Sequence, residues 1–130
     1  MPSMANITVK NVANADVVFV AKVPSAGDRT PAKWTQDAAS GIILHRPAFA
    51  MGTKDSGDGR KRIAELNGVF PVTVTENGVV RLADKIVFQG SFQLSKAIDT
   101  AANTEAITQF GNLLVSVLIR QALSDGYAPT

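Results

Sequence analysis

The sequence predicts an α+β chain, with an N-terminal β-hairpin, an antiparallel meander sheet, and a C-terminal helix or helices packing on one face of that sheet. Three observations predict it. In residues 85–95, Ile86, Phe88, Phe92 and Leu94 share one parity while Lys85, Gln89, Ser91, Gln93 and Ser95 share the other, so a strand there has a greasy side and a polar side. Asn77-Gly78 stands between VTVT and VVRL, the dipeptide that most favours a type I′ hairpin because both residues tolerate positive φ. Beyond residue 100 the apolar period lengthens from that of a strand to that of a helix.

The elements follow in order. ITVKN and VVFVAKV, joined by Asn and Asp turn formers, read as a hairpin over about residues 6–24. AKWT is a brief strand before a polar break at residues 36–41, and residues 42–51 read as a strand in which Pro47 marks a bulge or an unpaired edge. A Gly-rich polar tip at residues 52–59 leads into a basic strand start, Asn67-Gly68 suggests a turn or kink, and six or seven strands result. Asn103 or Thr104 is placed to cap a helix that carries Ile107, Phe110, Leu114, Val117 and Leu118 on one stripe and ends at Asp125-Gly126. With 130 residues there is room for one core, hence a single domain over residues 1–130, with the sheet at about 32–95 and the helical region at about 103–125.

Leu113, Val115 and Ile119 carry the apolar surface of this helix well beyond one stripe. One sheet cannot bury all of it, so either a second copy covers the rest in a two-fold dimer or another part of the same chain does.

Composition excludes much. An 18% charged and 45% hydrophobic chain should fold, and a formal net charge of +2 does not by itself announce a polyanionic partner. No cysteine is present, which removes disulfides and thiolate metal sites. The first residues lack the basic and apolar regions of a secretory signal, and residues 113–119 fall far short of a membrane span, so no membrane partner is expected. The single histidine, His45, sits beside Arg46 in a strand-like context, where a structural or solvated role outweighs catalysis. Asp55 and Asp58 lack the Glu that closes a calcium loop, and the nearby glycines lack the Gly-Lys-Ser/Thr ending of a phosphate loop. No catalytic residue, metal site or cofactor is expected. Lys54, Arg60, Lys61 and Arg62 form the one strong concentration of positive charge, suited to phosphate contacts or to a merely solvated hairpin.

Taken together, AKWT, GRKR, VFPV, NGVV, the alternating strand at 85–95 and NLLVSVL resemble the coat proteins of single-stranded RNA bacteriophages (levivirus-like) over nearly the whole chain. The resemblance implies a homodimer with interlocked C-terminal helices, assembled with other copies into an icosahedral T=3 capsid around a single-stranded RNA genome in the host bacterial cytoplasm. Carried across by position, the RNA-binding floor is Arg46, Lys61, Lys85, Val87, Gln89 and Ser91, with Lys61 a phosphate contact. The dimer interface is Phe110, Leu113, Leu114, Val117 and Leu118. The resemblance also makes an RNA hairpin a candidate ligand, bound to repress translation; Val87 stands where the family's best-known members place a base-stacking aromatic, which counts against specific repression. The loop at residues 75–80 is implied to be flexible, letting one chain make five-fold and quasi-six-fold contacts. A different non-enzymatic class, a β-rich adhesin-like or phage-tail interaction module, also fits the composition. It differs in expecting a monomer or small ring without RNA.

Overall fold

Residues that tolerate left-handed backbone geometry sit at the hairpin reversals of the sheet. The computed structural model describes residues 3–130, which form two compact units that meet in sequence between Gln93 and Leu94. The first holds β1 (Ile7–Lys10), β2 (Asp16–Val23), β3 (Ala32–Thr35), β4 (Ala48–Asp55), β5 (Lys61–Glu76) and nearly all of β6 (Val79–Ser95), in one six-stranded sheet whose spatial order is the chain order. In the β1–β2 turn Asn14 adopts φ 60° and the Asn11 side chain accepts from the Ala15 amide at 3.0 Å. Asn77 (φ 52°) and Gly78 (φ 77°) make the β5–β6 turn with the paired positive φ angles that the sequence predicts.

Three local expectations are corrected. The loop expected over residues 75–80 is only a two-residue turn, with strand on both sides of it and Arg81 holding Glu76 through bonds of 2.8 and 3.2 Å. Asn67-Gly68 is neither turn nor kink but lies inside β5, and the glycine has a packing reason: a Cβ there would come 3.5 Å from the Phe88 Cβ. Pro47 precedes β4 rather than bulging within it, because residues Ile43–His45 form a 3-10 turn and the Pro47 carbonyl accepts from the Gln36 amide at 2.9 Å. Pro71 falls past Val69, the last residue of β5 that pairs with β4, so its missing N–H costs no bond to that strand.

The core of the first unit is small. Trp34 is 9% exposed and Ala64 7%. The Trp34 ring lies 5.7 Å from that of Phe49, and its indole N–H donates to the Ala5 carbonyl at 2.9 Å, drawing the segment before β1 onto the sheet. A bulge in β2 between Ala21 and Val23 frees Lys22 to reach Asp37, which also accepts from the Thr35 hydroxyl at 2.6 Å. These bonds, Lys22's first and Thr35's next, hold the Asp37 carboxyl below its ordinary range.

The second unit holds α1 (Thr100–Leu114) and α2 (Val117–Asp125). Asp99 caps α1 by accepting from the Ala101 amide at 2.9 Å, so the helix starts earlier than Asn103 or Thr104 would have it. Two helices form rather than one, with axes 58° apart. Neither Gly nor Pro marks the break. Ser116 takes an extended conformation, and its hydroxyl donates to the Leu113 carbonyl at 2.7 Å, satisfying an acceptor that the interrupted helix leaves open. Gly126, at φ 80°, closes α2. No single helix is long and apolar enough to cross a membrane.

Two outcomes test this account. Trp34→Ala removes the largest core contact and an indole hydrogen bond, and should cost about 3–5 kcal/mol in denaturant unfolding followed by circular dichroism. A change under about 1 kcal/mol would remove Trp34 from the centre of the core. Because the folded Asp37 carboxyl titrates below its unfolded value of about 3.9, its contribution is complete above that value and is lost as pH falls through the folded one. Asp37→Asn should therefore lower stability at neutral pH and flatten the acid limb of the stability profile, whereas an unchanged acid limb would show that the Lys22 pairing contributes nothing.

Candidate nucleic-acid interface

Pairing parity decides which side chains share a side of the sheet. Trp34 pairs with Phe49 and Phe49 with Gly68, and Gly68 faces Phe88, so these four positions lie on one side. Ile7, Phe19, Phe70 and Ile86 join Phe49, Gly68 and Phe88 around a shallow apolar concavity. This side is largely uncovered in the single chain, with Phe70 55%, Ile86 62% and Phe88 44% exposed.

The opposite side is polar. Lys33, Ala50 and Asn67 stand in one row across β3, β4 and β5. Alternation adds Lys61 and Glu65 from β5 and Lys85, Val87, Gln89 and Ser91 from β6. All six of these are exposed. The fold thus brings five of the six expected floor residues to one face. The sixth, Arg46, is committed elsewhere: its Nε donates to the Ser40 carbonyl at 2.8 Å and its guanidinium reaches Asp37 at 3.4 Å.

The basic cluster at the hairpin tip divides in the same way. Lys54 pairs with Glu65 at 2.7 Å. Arg62 points to the other side, where it holds Asp28 through bonds of 2.6 and 2.9 Å and Asp55 at 2.8 Å, and these two carboxylates, Asp28 foremost, keep the guanidinium charged. That fork pins the loop before β3, in which Arg29 adopts φ 67° and donates its amide to the Thr53 carbonyl at 2.9 Å. Among the described residues Lys33, Lys61 and Lys85 enter no ion pair.

Sequence reasoning missed two parts of this face. Lys33 had a signal, since alternation within AKWT sets it opposite the buried Trp34. The polar concavity of Arg29, Pro31, Lys54, Glu65 and Asn67 had none, because it depends on how the loop folds back on β4. Asp58 serves its own turn, accepting from the Ser56 hydroxyl at 2.6 Å and the Arg60 amide at 3.0 Å, bonds that hold its carboxyl below the ordinary range. His45 ends the 3-10 turn, and its Nδ1 is buried without a hydrogen-bond partner among the described residues. No group of three or more His, Cys, Asp or Glu among the described residues is arranged to hold a metal ion.

In the second unit the five residues expected at a dimer interface are all exposed in the single chain: Phe110 by 53%, Leu113 by 52%, Leu114 by 47%, Val117 by 74% and Leu118 by 62%. Neither helix buries a residue.

The sequence matches no protein-family model and no curated protein. Its structure does have close likenesses. A virus-like particle of Beihai levi-like virus 21 superposes with a TM-score of 0.79 at 16% identity, over 99% of this chain and 99% of that one. The coat protein of bacteriophage EMS014 gives 0.79 at 15% identity, over 99% and 100%. The capsid protein of bacteriophage GA gives 0.73 at 20% identity, over 95% of each chain. From its first strand to its last helix, this chain has the fold of the coat proteins of levi-like bacteriophages.

Proposed function

We propose that the chain is a structural coat protein, not an enzyme, that forms a homodimer and assembles into an icosahedral T=3 shell around single-stranded RNA in a bacterial host. The observation that carries this reading is that the apolar side of the sheet and the apolar residues of both helices stay uncovered in one chain. Side chains of this size are worth roughly 1.5–3 kcal/mol each when fully buried, so about a dozen left open constitute a strong drive to associate. β6 gives that association a direction. It is a strand of 17 residues at the end of the sheet order, paired with β5 on one side only. Such an edge templates another strand, and a two-fold axis beside it lets β6 pair with its own copy and extends the polar face across two chains.

On that face Lys61 and Lys85 supply charge, Gln89 and Ser91 hydrogen bonds, and Val87 an apolar contact. RNA binding is then dominated by phosphate contacts and falls with salt. A valine has no aromatic ring for a base to stack on, so sequence-specific repression through an RNA hairpin is not part of the proposal.

Expressed alone, the protein should yield megadalton particles containing nuclease-protected RNA, seen by size-exclusion chromatography and electron microscopy. A stable monomer or small ring without RNA would overturn the proposal and favour an adhesin-like or tail module. Lys61→Ala should weaken binding to unrelated RNA sequences alike and reduce the slope of log affinity against log salt by about 0.7 per copy. An unchanged slope would take Lys61 out of the interface.

A further inference from the structure

We infer that Asn77 is a site of spontaneous covalent modification, losing its side-chain amide through a succinimide ring closed by the Gly78 nitrogen, and that the fold confines this chemistry to one of two Asn-Gly dipeptides. The inference is independent of whether the chain binds RNA. Asn-Gly occurs at residues 67–68 and again at residues 77–78. Ring closure needs the following amide nitrogen to reach the Asn side-chain carbonyl carbon, and a following glycine has no Cβ to obstruct it. The sequence makes both dipeptides candidates; the structure separates them.

Asn67-Gly68 lies inside β5, where Asn67 pairs with Ala50 and Gly68 with Phe49. β4 and β6 flank β5, so its amides alternate between two neighbouring strands. Phe88 also closes over Gly68, where a Cβ would come 3.5 Å from the Phe88 Cβ. Bringing the Gly68 nitrogen to the Asn67 side chain therefore requires the strand to open. At the β5–β6 turn nothing comparable holds the pair. Both residues are exposed, the space beside Gly78 is open, and among the described residues no hydrogen bond engages the Asn77 side chain or the Gly78 amide. A two-residue hairpin loop closes through the residues that flank it, here Glu76 and Val79, which leaves the amides of its central residues unpaired.

The step balances with water alone. The Gly78 nitrogen bonds to the Asn77 Cγ, the Cγ–Nδ2 bond breaks, and ammonia leaves with the proton that the glycine amide gives up. Water then opens the ring at either carbonyl, giving aspartate where the original peptide link is restored and isoaspartate where the chain runs through the side chain. Either product adds a carboxylate beside Glu76, whose partner Arg81 is already committed to it at 2.8 and 3.2 Å. Isoaspartate also lengthens the turn by a backbone atom, which breaks the two-residue geometry that sets the β5–β6 register.

To test this, the purified full chain is held in warm, mildly alkaline buffer, both native and in guanidinium, and its digested peptides are quantified by mass spectrometry with fragmentation that separates aspartate from isoaspartate. In the native chain conversion at Asn77 should outpace that at Asn67 by about tenfold or more, because the strand site must open before it reacts. In guanidinium the two sites should convert at similar rates. The converted native protein should elute from an anion exchanger with the Asn77→Asp variant, which keeps a turn-forming dipeptide and carries the same added charge. Equal native rates at the two sites, a faster Asn67, or an Asn77 that stays intact in the native chain while the denatured chain converts it would each overturn the assignment.

Discussion

An apolar sheet side that one chain leaves open is the constraint on which the rest of this structure depends. Among the described residues only Trp34, Pro47 and Ala64 are buried, whereas Phe70, Ile86 and Phe88 are each about half exposed or more. A domain's net stability is typically 5–15 kcal/mol, and covering a set of side chains like these contributes on the same scale. Folding and association are then linked, since any partner that covers the apolar side also stabilises the chain. The fold shared with solved phage coat proteins at 11–20% identity fits this view. Such identity preserves few individual contacts, but parity and element order survive it.

What the sequence disclosed followed from local chemistry. The I′ turn needs only Asn77 and Gly78, and the split of β6 into two sides needs only period two, so both were legible residue by residue. That Lys85, Val87, Gln89 and Ser91 share one side of β6 was legible for the same reason; that Lys61 shares it rests on the approach of Phe88 to Gly68. What escaped depended on contacts distant in sequence. Gly68 reads as a turn former until Phe88 is seen above it. Arg46 reads as an available cation until Asp37 and the Ser40 carbonyl claim it. The helix break escaped because a serine made it, through a bond to a carbonyl three residues back.

Ion pairing refines the charge pattern that composition left faint. Most basic side chains in the sheet unit have a carboxylate neighbour: Lys10 with Asp16, Lys22 and Arg46 with Asp37, Lys54 with Glu65, Arg62 with Asp28 and Asp55, and Arg81 with Glu76. Exposed pairs of this kind contribute little to stability. Their effect here is subtractive, because they cancel charge at the turns and at the sheet's outer hairpin. The unpaired lysines of β3, β5 and β6 then define a positive strip on a chain whose formal net charge is only +2.

The connection at Ser116 carries one more implication. The β5–β6 ribbon ends in a tight two-residue turn of left-handed residues, which fixes the pairing of its two strands at that end. Between α1 and α2, by contrast, only Val115 and Ser116 intervene, tied back by the Ser116 hydroxyl bond to Leu113 and the amide bond beside it. The backbone angles at those two residues set the 58° bend at which the last nine-residue helix leaves the first. A two-residue elbow braced by one hydroxyl, rather than a glycine or proline hinge, thus decides where the chain's last helix points.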